Sequence, residues 1–174
     1  MPVYLMNIAL IFFWAFLFLY IKPTLCKKKI FCTLACIQWV LLSGLRGIDV
    51  GDDTFSYKIT FNIIRNTSWH RIFDNIVKYI GGAEIKDPGY ALFVKIFQVF
   101  STNYQVYLIF IALLVMIPLT IWIYRNSSMP CLSFIIFFFF FYAFYAVTGI
   151  RQTIATVLVV FIGYEFIKKK KPIP

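Results

Sequence analysis

Three short stretches of this largely apolar chain carry ionisable side chains that could bind a ligand or do chemistry. The first, "LRGIDVGDDTFSY", places Arg46 and Asp53 directly after an apolar run. The second, "DPGYALFVKIF", begins at Asp87, and the third, "GIRQTIATVLVV", contains Arg151. An arginine fork makes paired, charged hydrogen bonds to phosphate or carboxylate oxygens, and a suitably placed carboxylate accepts a proton from a hydroxyl group. These stretches therefore hold the candidates for binding and for chemistry.

The composition of the chain indicates the environment in which these residues lie. Of its 174 residues, 61% are hydrophobic and 21% are aromatic, and the mean hydropathy is +0.83. Several apolar runs approach the length of about 20 residues that a membrane helix needs. The first run has no basic segment before it and no small-residue cleavage site after it, so it predicts a retained helix and not a cleaved signal peptide. The sequence predicts an integral membrane protein.

The net charge of +10 does not indicate a nucleic-acid partner. Lysines cluster at 27–29 and 168–171, beside apolar runs, and such clusters are typical of cytoplasmic helix ends. The four cysteines form no metal-binding pattern with the single histidine, His70, and we interpret them as packing residues. We therefore expect no nucleic acid, no metal and no cofactor.

The predicted fold is all-α, a polytopic membrane protein that forms a single membrane domain over residues 1–174. About five transmembrane helices are expected, at about 3–21, 30–45, 104–124, 131–147 and 150–167. An extracytoplasmic loop is expected at 46–88, and a short helix, either re-entrant or a sixth span, at 89–101.

The distribution of charge predicts the orientation of these helices. The lysines that follow the first helix belong in the cytoplasm by the positive-inside rule, which places the N-terminus and the loop 46–88 outside. This loop holds six of the seven acidic residues. A full crossing by 89–101 would put the last lysine cluster outside, against the rule, whereas a re-entrant helix keeps it in the cytoplasm. We therefore expect the re-entrant arrangement, which places Arg151 on the acidic side.

The loop 46–88 is expected to be structured. Between Trp69 and Ile80, apolar residues recur at helical spacing, which predicts an amphipathic helix lying in the membrane interface. Asp53 or Thr54 is expected to cap an earlier helix, and Gly81 with Gly82 to end the amphipathic one.

Together, the three stretches resemble the EpsG family of bacterial exopolysaccharide and capsule polymerases, which are related in role to Wzy. The family pattern is an arginine that ends an early helix, then V-G-x-D-x-x-x-Y, E-P-G-Y and I-R-Q-x-I-A. Asp87 stands where the family usually has glutamate. Family members usually continue into a later helix with a histidine-containing motif, so the sequence resembles an N-terminal half or a truncated member. The matching residues are Arg46, Gly51, Asp53, Tyr57, Pro88, Gly89, Tyr90, Arg151, Gln152 and Ala155.

The resemblance implies a membrane enzyme, a glycosyltransferase-type polymerase that joins polyprenyl-diphosphate-linked oligosaccharide repeat units. It implies a multi-pass protein of the bacterial cytoplasmic membrane. The implied partners are the bilayer, the lipid-linked glycan and other polysaccharide-assembly proteins. Arg46 and Arg151 would bind the diphosphate, and Asp53 would act as the base or orient the acceptor. The further candidates for substrate binding are Gln152, Tyr57, Asp87 and Tyr90.

Other interpretations of the same residues stay open. Arg46 and Arg151 can snorkel at helix ends, Asp53 can serve only as a helix cap, and Lys95, within an apolar segment, can reach the membrane interface. A transporter or flippase for lipid-linked sugars would need charges along a path through the bilayer, whereas these charges gather at one face. An accessory membrane subunit, without activity of its own because of truncation, is the third alternative.

Overall fold

The structure, a computed structural model, describes residues 2–21, 24–47, 49–51, 53–140, 149–156, 159 and 163–168. Every regular element within these ranges is helical, as expected. The helices are α1 (Pro2–Ala15, continued by a π-helical segment, Phe16–Tyr20), α2 (Leu25–Gly44), α3 (Thr54–Asn66), α4 (Trp69–Ile80), α5 (Pro88–Phe100), α6 (Tyr104–Asn126), α7 (Pro130–Phe137), α8 (Ile150–Thr156) and α9 (Gly163–Lys168).

Two of the described helices are long and apolar enough to cross a membrane, over Val3–Tyr20 and Tyr104–Asn126. Only 17% of the first is buried within the protein, which leaves most of its apolar surface for lipid. Two shorter apolar helices occupy Pro88–Phe100 and Pro130–Phe140. The expected number of about five spans stays a prediction, because the helices predicted at 131–147 and 150–167 extend into residues outside the described ranges.

A polar contact joins the first two helices. The Gln38 side-chain amide donates to the Asn7 backbone carbonyl at 2.6 Å and also contacts the Asn7 side-chain oxygen. The Trp14 indole N–H donates to the Gln38 side-chain oxygen at 3.2 Å. These bonds satisfy polar groups between two largely apolar helices, where a lone polar group would be costly.

Helix α2 begins earlier than the predicted start at residue 30. The Thr24 side chain accepts a hydrogen bond from the backbone N–H of Lys27 at 3.2 Å and so caps the helix at Leu25. The lysines at 27–29 therefore lie within the first turns of α2 and not in the connection before it. The Lys28 ammonium donates to the backbone carbonyl of Ser127, just beyond the end of α6, at 2.8 Å.

Helix α2 packs most extensively on α6. At the end of α2, a Cβ atom added to Gly44 would lie 3.0 Å from the Cα atom of Ile109, so the two backbones approach closely because residue 44 has no side chain. The Gln105 side-chain amide donates to the Gly44 carbonyl. This contact fixes the position from which the chain leaves α2 towards Arg46.

The predicted loop 46–88 forms α3 and α4. The Ser68 side chain accepts from the Arg71 N–H and starts α4, and Gly81 with Gly82, at φ +91°, ends it, as predicted. The apolar side chains of Phe73, Val77 and Ile80 are exposed on one side of this helix. An amphipathic helix is thus confirmed, and its location in a membrane interface stays a prediction.

An ion pair lies on the polar side of α4. The Lys78 ammonium is 2.7 Å from the Asp74 carboxylate, and the hydrogen bond from Lys78 lowers the pKa of Asp74. Both side chains are exposed, so the pair contributes little to stability.

We expect a Gly44→Val substitution to destabilise the contact between α2 and α6. The added side chain meets the backbone of Ile109, and overpacking of this kind typically costs about 1–3 kcal/mol. Thermal unfolding in detergent measures the effect. Gly47→Val is the matched control, because a Cβ atom at Gly47 has no neighbour within 4 Å. Equal unfolding temperatures for the two variants would show that the close approach at Gly44 does not limit packing.

Candidate functional site

One face of α3 and one face of α5 enclose a polar cavity of about 390 Å³. Asp53, Ser56, Tyr57 and Thr60 follow helical spacing, so they share a face of α3. The beginning of α5 and of α8 completes the wall. The lining residues are Asp53, Ser56, Tyr57, Thr60, Ile64, Lys86, Asp87, Tyr90, Ala91 and Arg151.

Arg151 is the centre of this arrangement. Its guanidinium forms an ion pair with the Asp87 carboxylate, and its Nε donates to the Tyr57 hydroxyl at 3.4 Å. The guanidinium carbon lies 5.7 Å from the centre of the Tyr57 ring and 6.0 Å from that of Tyr90, within the range of cation–π attraction. The side chain keeps 38% of its surface exposed, so it is oriented on several sides and still accessible from the cavity.

The backbone of Asp87 orients its carboxylate towards Arg151. Asp87 is the one described non-glycine residue with a positive φ, at φ 49° and ψ 53°, and it precedes Pro88 at the start of α5. Aspartate is a favoured helix cap, but this side chain makes no hydrogen bond to the first turn of α5. The left-handed conformation, which is uncommon outside glycine, accompanies a carboxylate that bonds across to α8 and not along its own helix.

Tyrosines form the layer beneath the cavity. The rings of Tyr57 and Tyr90 meet edge to face with their centres 5.8 Å apart, and the Tyr107 hydroxyl of α6 donates to the Tyr90 hydroxyl at 3.1 Å. The Tyr104 hydroxyl, also of α6, donates to the Thr54 backbone carbonyl at 3.1 Å. These bonds join α3, α5 and α6 directly below the charged residues.

Asp53 lies at the cap position of α3, but its side chain makes no capping hydrogen bond. The neighbouring Thr54 hydroxyl donates to the Val50 carbonyl at 2.6 Å, so it does not cap the helix either. The expectation that one of these two side chains caps α3 is therefore wrong. Asp53 is exposed and is part of the cavity lining instead.

The structure does not bring every predicted site residue together. Arg46 lies outside the cavity lining and is only 6% exposed, and its guanidinium donates to the Ser43 hydroxyl at 3.2 Å, at the end of α2. Gln152 is exposed but is also absent from the lining. The residues that do meet are Asp53, Tyr57, Asp87, Tyr90 and Arg151.

Three polar residues of the described lining were not predicted from the sequence: Ser56, Thr60 and Lys86. For the first two a signal exists, because they stand three and seven positions after Asp53, on the same side of a helix. The sequence gives no such indication for Lys86, because its position in the lining depends on the path of the chain into α5.

Polar side chains of α5 hold it against α3. The Lys95 ammonium donates to the backbone carbonyls of Ile64 and Arg65, at 3.1 Å each, and lies 5.9 Å from the centre of the Trp69 ring. The Gln98 side-chain amide donates to the Phe61 carbonyl at 2.7 Å. Lys95 thus bonds to the negative end of α3, which supports a structural role for it.

Two long apolar helices indicate a membrane protein, and its shorter helices line a cavity that carries charged side chains. The sequence model of the EpsG family matches residues 29–174, and the chain belongs to this family. Comparison with curated proteins and with solved structures finds no match. The family assignment made from the three motifs is thereby confirmed.

We expect a Lys95→Met substitution to destabilise the pairing of α3 with α5. The change keeps most of the apolar length of the side chain but removes the ammonium from two helix-end carbonyls, a loss of about 1–2 kcal/mol. Chemical unfolding in detergent measures it. Lys58→Met is the control, because no hydrogen bond holds the Lys58 side chain within the described ranges. If both variants unfold alike, Lys95 does not hold the site together.

Proposed function

We propose that the chain acts as a glycosyltransferase-type polymerase that joins polyprenyl-diphosphate-linked oligosaccharide repeat units in exopolysaccharide or capsule biosynthesis. The single observation that carries this proposal is the cavity in which Arg151, Asp53 and two tyrosines meet, in a member of the EpsG family. A cavity of about 390 Å³ lies within the usual size range of small-molecule sites.

In the proposed reaction, each group has a defined role. Asp53 accepts the proton of the acceptor sugar hydroxyl, and the acceptor oxygen attacks the anomeric carbon of the donor. The bond between that carbon and the diphosphate oxygen breaks, and the diphosphate leaves with the electron pair. Arg151 stabilises the charge that develops on the leaving diphosphate. Tyr57 and Tyr90 orient the sugars through their rings and hydroxyls.

For Arg46, we propose a role other than the diphosphate binding that the resemblance implies. Its burial beside Ser43 favours support of the site over direct contact with the diphosphate. It lies within electrostatic range of Tyr104, whose hydroxyl bonds to Thr54, the residue that follows Asp53. In the proposal, Arg46 therefore supports the start of α3 through Tyr104 and does not contact the substrate.

The proposal places the protein in the bacterial cytoplasmic membrane as a multi-pass protein with an extracytoplasmic N-terminus and a re-entrant α5. The contacts of α6 support this orientation. Lys28 bonds to Ser127 and Lys168 bonds to Asn126, both near the C-terminal end of α6. The site tyrosines lie near its N-terminal end. Lys28 and Lys168 are therefore at the opposite end of one long apolar helix from the site, as the positive-inside rule requires of a site outside.

Substitution of the two reacting groups tests the activity. In a strain that makes the polymer, we expect Asp53→Asn to lower polymerisation by about 10²–10⁴-fold, because the base is lost, and Arg151→Lys to shorten the chains, because lysine lacks the bidentate fork. Gel analysis of surface polysaccharide gives the chain lengths. Asp74→Asn is the control, since Asp74 lies in an exposed ion pair on α4.

The same assay separates the proposed polymerase from a flippase. A defective polymerase still delivers single repeat units to the outer face, whereas a defective flippase delivers none. Normal chain lengths in both the Asp53 and the Arg151 variants would exclude the proposed reaction.

Reporter fusions test the proposed orientation. A phosphatase reporter that is active only outside the membrane should be active after Gly82 and inactive after Lys168, because the two positions lie on opposite sides. Fusions that carry a cytoplasmic reporter at the same positions should give the inverse result. An active phosphatase after Lys168 would overturn the re-entrant arrangement of α5.

A further inference from the structure

We infer that Lys86 and Arg151 form the anion-binding pair of the cavity, and that the Asp87 carboxylate is an exchangeable counter-ion which the ligand phosphate replaces at Arg151. The identity of the anion, a diphosphate group, rests on the proposed function. The assignment of Lys86 and of the exchange rests on the geometry of the cavity.

The position of Lys86 distinguishes it from other lysines of the chain. It lines the same cavity as Arg151 and precedes Asp87 directly. Its side chain is exposed, and within the described part of the chain no hydrogen bond or ion pair holds its ammonium. Lys28 and Lys95, by contrast, donate to backbone carbonyls near the ends of other helices. The Lys86 ammonium is therefore free to turn towards an anion in the cavity.

The charges of the lining require a second cation if the cavity is to bind a diphosphate. Among the described lining residues, the wall carries two carboxylates, Asp53 and Asp87, and two cations, Lys86 and Arg151. While Asp87 is paired with Arg151, Lys86 is the cation of this set that is available to an anion. Arg46 cannot supply the missing charge directly, because it is buried outside the lining.

Exchange at Arg151 makes the second cation available to the ligand. The Asp87 side chain is 42% exposed, and exposed ion pairs are weak. A phosphate group offers the guanidinium more charge and the same two-oxygen geometry, so it competes well with one carboxylate. The ligand then lies between Arg151 and Lys86. It also faces the first turn of α5, whose N–H groups donate no hydrogen bond to the Asp87 side chain.

Binding of inorganic pyrophosphate to the purified full chain in detergent, measured by isothermal titration calorimetry, tests this inference. We expect Lys86→Gln to weaken binding about tenfold, the effect of losing one charged hydrogen bond, and Lys86→Arg to restore it. Asp87→Asn should tighten binding about threefold, because the competing carboxylate is gone, whereas Asp87→Glu should bind like the wild type. Lys78→Gln, on α4 outside the lining, is the charge-matched control and should have no effect.

The binding measurements can overturn the role of Lys86, the exchange of Asp87 and the diphosphate site separately. If Arg151→Gln abolishes binding while Lys86→Gln binds like the wild type, Lys86 is not the second cation, and the proposed function still stands. If Asp87→Asn weakens binding and unfolds at the wild-type temperature, Asp87 is a fixed support and the exchange is wrong. If the wild type shows no binding that depends on Arg151, the diphosphate site itself is wrong, and with it the proposed function.

Discussion

The carbonyl groups at the end of a helix have no partner within that helix, and among apolar neighbours they need donors from elsewhere. Here the donors are side chains of other helices. Gln105 of α6 bonds to the end of α2 at Gly44, and Lys95 of α5 bonds to the end of α3 at Ile64. Each bond satisfies a helix end and at the same time fixes it against a second helix. The arrangement of α3 and α5, and hence the cavity between them, depends on these contacts.

Within that frame, the site combines an apolar support with accessible charges. Tyr57 and Tyr90 present their rings to the Arg151 guanidinium, while their hydroxyls bond to Arg151 and Tyr107 respectively. A tyrosine can do both, because its ring packs like an apolar group and its hydroxyl still makes hydrogen bonds. Arg151 is thereby oriented without being buried, as the proposed binding of a charged ligand requires.

The two ends of α6 differ in the side chains that they contact, and this difference relates the site to the proposed membrane orientation. The lysines bonded near Asn126 and Ser127 mark one end of the helix, and the tyrosines at 104 and 107 mark the other. In the proposed function, the substrate has an apolar lipid anchor and a polar, charged head. A cavity at one end of an apolar helix suits both parts of such a substrate, because the anchor can stay in lipid while the head enters the cavity.

Local patterns in the sequence determined the membrane class, the all-helical fold, the helices within the loop 46–88 and, through three motifs, the EpsG family. Once α3 is known, helical spacing also puts Asp53 and Tyr57 on one helix face, since a period of 3.6 residues is a local property. Only the tertiary structure decided that Arg151 meets Asp87, that Arg46 turns away into the end of α2, and that Lys86 joins the wall. Periodicity defines the face on which a residue lies, but which faces meet depends on the packing of helices far apart in the sequence.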